Sequence, residues 1–96
     1  MAFGGPWYIS ARAVRDYLEL TRQPIVEDGP IWDRAQGDLV RMAEETLASG
    51  RAPRPLDSGA LRYRGPKPQR YQLLVMPSMV EGRAPQLVRV LASHGQ

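Results

Sequence analysis

The chain contains no cysteine. Disulfides, thiolate metal sites and a cysteine nucleophile are therefore excluded, and the usage fits a reducing compartment. Histidine occurs once, at His94, which leaves a metal ion little beyond carboxylates on exposed helix faces, so neither metal nor cofactor is expected. No stretch approaches the roughly 18 apolar residues of a membrane span. Met1 to Trp7 carries neither the basic nor the apolar region of a secretion signal. A cytoplasmic protein that does not engage a membrane is expected. Several catalytic signatures are missing too. Gly65-Pro66-Lys67-Pro68 lacks the spacing and free N–H groups of a phosphate loop. Glu44 and Glu45, adjacent on a helix, diverge rather than pair. His94 could formally complete a serine triad, but no serine sits in a nucleophile elbow.

What remains is ordinary globular material with an uneven charge. Ninety-six residues, 43% hydrophobic and 24% charged, suit one core without staples. A single domain over 1–96 is expected, with a helical half at about 10–50, a linker at 51–59 and a sheet half at about 60–94. Residues 1–50 hold five arginines against eight acids, and residues 51–96 hold seven arginines and one lysine against two acids, giving −3 and +6. Arginine outnumbers lysine twelve to one, and its planar fork suits phosphate or carboxylate.

Periodicity orders the elements. Trp7-Tyr8-Ile9 reads as a strand after Gly4-Gly5-Pro6. Ser10 is an N-cap, with Ile9 and Val14 as a hydrophobic staple. The first helix is predicted from Ala11 to about Thr21, with Val14, Tyr17, Leu18 and Thr21 inward and Arg12, Arg15, Asp16 and Glu19 toward water. Asp28-Gly29-Pro30 starts a second helix. Its inner stripe is Trp32, Ala35, Leu39, Met42, Ala43, Thr46 and Leu47, and Gly50 stops it. Gly37 costs that helix about 1 kcal/mol relative to alanine and suggests close packing or a bend. Prolines at 53 and 55 make the next segment a surface linker. Period-two patterns then predict strands at Ala60–Arg64, at Arg70 to about Met76 and at Gln86–Ala92, with a turn at Gly65–Pro68. The order strand-helix-helix-strand-strand-strand implies a two-layer α+β fold, two helices on one face of an antiparallel sheet.

The chemistry this pattern offers is anion binding. If the hairpin closes around Gly65 to Pro68, Arg62, Arg64, Arg70 and Arg89 project together, with Tyr63 and Tyr71 nearby and Lys67 and Arg83 in the adjoining loops. Such a cluster can hold a phosphodiester and stabilise charge that develops at phosphorus. The plainer reading is that outward arginines keep a sheet soluble and blunt its edges. His94 is either an exposed tail residue or a proton donor suited to neutral pH.

The element order, with Arg70-Tyr71-Gln72-Leu73-Leu74-Val75 followed by Leu87-Val88-Arg89-Val90-Leu91-Ala92-Ser93-His94, resembles the RelE/ParE superfamily of bacterial toxins. In members that cut messenger RNA on the ribosome, an arginine opens the third strand, a basic residue follows on a later strand, and a His, Tyr or basic group lies near the C-terminus. The resemblance implies catalytic roles for Arg70, Arg89 and His94. It also implies a cognate antitoxin and ribosome-bound RNA as partners. The acidic helices and the long Pro24 to Gly29 connection depart from that family, and ParE-like members act on DNA gyrase without an RNA-cutting site, so fold alone leaves the target open. The second reading is a non-enzymatic inhibitor or adaptor of phage or mobile-element type, docking a nucleic-acid-handling protein through its charged faces. A homodimer is a further arrangement, through apolar side chains such as Phe3, Leu74, Met76 and Met79.

Overall fold

Ser10 begins the first helix as an N-cap should: its backbone is extended and its hydroxyl accepts the Ala13 N–H at 3.0 Å. The same hydroxyl donates to the Val88 carbonyl at 3.0 Å, so one side chain both caps the helix and fastens it to the last strand. The computed structural model describes residues 7–78 and 84–93. Among them the order is β1 (Tyr8–Ile9), α1 (Ala11–Leu20), α2 (Pro30–Ala48), β2 (Arg54–Pro55), β3 (Leu61–Arg64), β4 (Gln72–Met76) and β5 (Gln86–Leu91). Phe3, Met79, Arg83 and His94 lie outside the described residues. No helix among the described residues is long and apolar enough to cross a membrane.

The α+β class and the strand-helix-helix-strand-strand-strand order hold, with two refinements. The sheet order is β1-β5-β4-β3-β2. β3, β4 and β5 form the expected antiparallel meander, but β1 joins β5 in parallel, so the sheet is mixed. The proline-flanked segment read as linker contributes a fifth strand, β2, antiparallel to β3. Two residues are all it can offer, because proline lacks the N–H a longer ladder needs and belongs at an edge.

The core forms where the helical stripes meet one face of the sheet. Leu18 and Val14 from α1, Leu39 from α2, and Leu73, Leu87 and Val90 from the sheet are fully buried. Each contributes roughly 1.5–3 kcal/mol by leaving water. Trp32, Ala35 and Ala43 continue the α2 stripe into this cluster, with Met42 at its margin. Leu47, expected inside, is 46% exposed, although Thr46 beside it is buried. Pro30 occupies the first turn of α2, Gly29 is its N-cap, and Gly50 adopts φ 75° just beyond its end, as those residues predict. Gly37 differs from expectation: a Cβ there would meet nothing within 4 Å, so close packing does not explain it.

Asp16 is the clearest correction to the helical pattern. It was expected on the wet side of α1, yet it is buried at 8% exposure. One carboxylate oxygen accepts the Val90 backbone N–H at 3.0 Å and the Arg89 Nε–H at 2.7 Å. β1 reaches only Gln86 and Leu87, so the rest of the β5 edge would otherwise expose unpaired N–H groups. α1 runs along that edge, and Asp16 supplies the missing acceptor. At the next position of α1, Tyr17 donates to Asp38 of α2 at 3.2 Å and meets Tyr71 edge-on, with ring centroids 6.2 Å apart. Burial, then the Asp38 charge, pushes the Tyr17 phenol up to about 12.

Candidate anion-binding site

Register decides which side chains share a face. Residues paired across strands point the same way. Tyr63, Leu73 and Val90 form one such row, and the burial of Leu73 and Val90 marks it as the core side. The flanking rows face away from the helices. One runs Arg54, Arg62, Leu74, Arg89, and the next runs Arg64, Gln72, Leu91. Arginines placed at alternate positions of β3 are thereby gathered on the outer face by the same alternation that sends Tyr63 toward the core.

The turn before β4 brings a further arginine to this face. The Gly65 N–H donates to the Tyr71 carbonyl at 2.7 Å and the Arg70 N–H to the Pro66 carbonyl at 3.0 Å. A Cβ on Gly65 would sit 2.9 Å from that Tyr71 oxygen, so only glycine allows the approach. The Lys67–Pro68 peptide is cis, and Arg70 takes φ 52°, a left-handed conformation that costs a non-glycine residue roughly 1–2 kcal/mol. β4 therefore begins at Gln72 rather than at Arg70 as the sequence pattern suggested, since a residue in that conformation cannot extend a strand.

These elements enclose an open hollow of about 640 Å³ whose lining includes Arg51, Arg54, Arg62, Arg64 and Arg70. Gln72 and Ser93 add to its polar surface, and among the described residues no carboxylate lines it. None of the five guanidiniums makes an ion pair among the described residues. Arg54 and Arg62 are direct cross-strand partners, an arrangement that is destabilising for like charges unless something neutralises it. Arginine keeps its proton under all ordinary conditions. The hollow is thus a fixed concentration of positive charge with fork-shaped donors, suited to binding oxyanions and to stabilising negative charge that develops on them.

The residues singled out from sequence divide accordingly. Arg62, Arg64 and Arg70 come together in the hollow, whereas the Tyr63 side chain, between the two β3 arginines, turns to the core. Arg89 lies in the row of Arg54 and Arg62, but its guanidinium is engaged by Asp16, whose hydrogen bond raises the Arg89 pKa further. Its role here is structural, joining sheet to helix. Tyr71 packs against the core and Tyr17, and Lys67 is exposed in the turn; neither lines the hollow. Arg83 and His94 are outside the described residues. Arg51 and Arg54 are additions that the linker reading missed. Their signal was two arginines in a proline-stiffened stretch, and only the β2–β3 pairing gives it meaning. Among the described residues no group of three or more His, Cys, Asp or Glu side chains could hold a metal ion. No family model, curated protein or solved structure matches the chain.

Proposed function

We propose that the protein is a RelE/ParE-like module that grips single-stranded RNA by its phosphates in the arginine hollow, acting as a toxin on ribosome-bound RNA. The observation that carries this reading is five convergent arginines with no acidic neighbour among the described residues of the lining. Arg70, the residue the resemblance assigns to phosphate, is one of them. Arg62 and Arg64 stand two residues apart on one face of β3, about 6.8 Å along the strand, a spacing comparable to that of successive phosphates in an extended chain.

Titrating the purified protein into labelled single-stranded RNA at several salt concentrations tests the binding. Affinity is expected to fall with salt at a logarithmic slope of roughly −0.7 per phosphate contacted. Arg62→Ala and Arg64→Ala should each weaken binding and flatten that slope. No binding at low salt overturns the reading. Induced expression tests the toxin role: growth should arrest, and Arg70→Ala should relieve the arrest. A protein that binds RNA but neither cleaves ribosome-bound RNA nor slows growth overturns that role.

One observation favours the rival reading of a non-enzymatic adaptor or inhibitor. The described lining offers arginine, glutamine and serine side chains, groups better suited to binding than to proton transfer at neutral pH. Salt-sensitive co-purification of an acidic protein partner, with no RNA affinity, would establish that alternative.

A further inference from the structure

We infer that the hollow is built for a terminal phosphate, a phosphomonoester or polyphosphate end, in preference to an internal phosphodiester. The inference rests on the proposal that the hollow binds anions and names the anion's class. Arg54 and Arg62 are directly opposed on adjacent strands, which sets their Cβ atoms about 4.5–5.5 Å apart on one face. Both side chains therefore converge on the same small volume, and each fork is matched by two oxygens of one anion.

An internal phosphodiester has two free oxygens and a single negative charge. It satisfies one fork and neutralises one of the two opposed guanidiniums. A terminal phosphate has three free oxygens and a charge of about −1.5 to −2 near pH 7, so both forks can engage it at once by sharing one oxygen. Arg51, Arg64 and Arg70 surround this pair with three further charges, and among the described residues the lining contains no carboxylate to balance any of them. A terminal phosphate brings about the charge of two diester links onto one phosphorus, at the point where Arg54 and Arg62 converge.

The test compares two labelled RNA oligonucleotides of one sequence, one with a 5′-phosphate and one with a 5′-hydroxyl, binding to the full chain at fixed salt. The phosphorylated form is expected to bind about tenfold more tightly at pH 7.5, as one added charge-assisted contact would give. That advantage should shrink at pH 5.5, because the second phosphate ionisation lies near pH 6. The hydroxyl form should change much less between the two values, since the charged side chains of the lining are all arginine among the described residues. Arg54→Gln and Arg62→Gln should each collapse the ratio between the two oligonucleotides, with thermal melting verifying that the variants fold. Inorganic tripolyphosphate separates the sources. Displacement of the phosphorylated RNA by tripolyphosphate at lower concentration than by unlabelled RNA points to a free polyphosphate, and the reverse order points to an RNA end. Equal binding of the two oligonucleotides, both salt-sensitive, overturns this inference and leaves the RNA-binding proposal standing. Binding of none of the three probes overturns both.

Discussion

The two edges of the sheet treat arginine in opposite ways. At the β5 edge, α1 lies alongside the strand, and Asp16 takes both the Val90 N–H and the Arg89 guanidinium. At the β3 edge there is only the two-residue β2, and it adds a second arginine directly opposite Arg62 instead of an acid. Arg89 and Arg62 stand in one cross-strand row, with Leu74 between them. One edge is thus closed by a helix and its charge consumed in holding the fold together. The other keeps its charge available to solvent and to a ligand. An unmatched cation costs little at an exposed surface, whereas an unmatched N–H at a buried edge costs about 1–3 kcal/mol, so only the closed edge had to recruit an acid.

The largest expected effect comes from opening the closed edge. Asp16→Ala leaves the Val90 N–H and Arg89 without their acceptor and should cost about 3 kcal/mol, read as a lower denaturant midpoint. A midpoint unchanged by this substitution would mean that the edge is not sealed by Asp16. Gly65→Ala forces the turn away from the Tyr71 carbonyl. Repacking of that kind typically costs 1–3 kcal/mol, and it should also weaken RNA binding by displacing Arg70. Gly37→Ala, with open space around the new methyl, should raise stability by about 1 kcal/mol, or roughly 4–8 °C in Tm, with RNA affinity unaltered. At the open edge, Arg62→Ala should move stability by no more than about 0.5 kcal/mol while clearly weakening RNA binding. If instead it destabilises as Asp16→Ala does, the two edges are not different in kind.

The smallest effect is confined to alkaline solution. Because the folded state raises the Tyr17 phenol to about 12 from an ordinary 10, it holds the phenolic proton more tightly than the unfolded chain does. The stability this contributes is fully present below pH 10 and is lost as pH rises toward 12. Tyr17→Phe should therefore flatten the decline in stability across that window, measured by denaturation at a series of alkaline pH values. An equally steep decline in the variant would assign the effect to another group.

Much of the fold was legible along the chain. Ser10, Gly29-Pro30 and Gly50 mark helix ends through local hydrogen bonding and backbone freedom, and those rules need only neighbouring residues. The alternation of Leu61 and Tyr63 with Arg62 and Arg64 showed that arginines would share a face of β3. The site was legible only in part. Asp16 falls outside the apolar stripe, and no local pattern says that a strand edge 74 residues away will require its carboxylate. Arg70 looked like the first residue of a strand, but the Gly65 turn draws it into a left-handed conformation.

Composition and spacing alone therefore specify the class of fold, the helix limits and the excess of arginine in the second half, since each depends on short-range periodicity or simple counting. Which arginines are spent on structure and which face a ligand is a matter of long-range pairing. Arg54 meets Arg62 only because β2 docks on β3, and Arg89 meets Asp16 only because α1 covers β5. Those contacts join distant parts of the chain, and their geometry exists only once the sheet has formed.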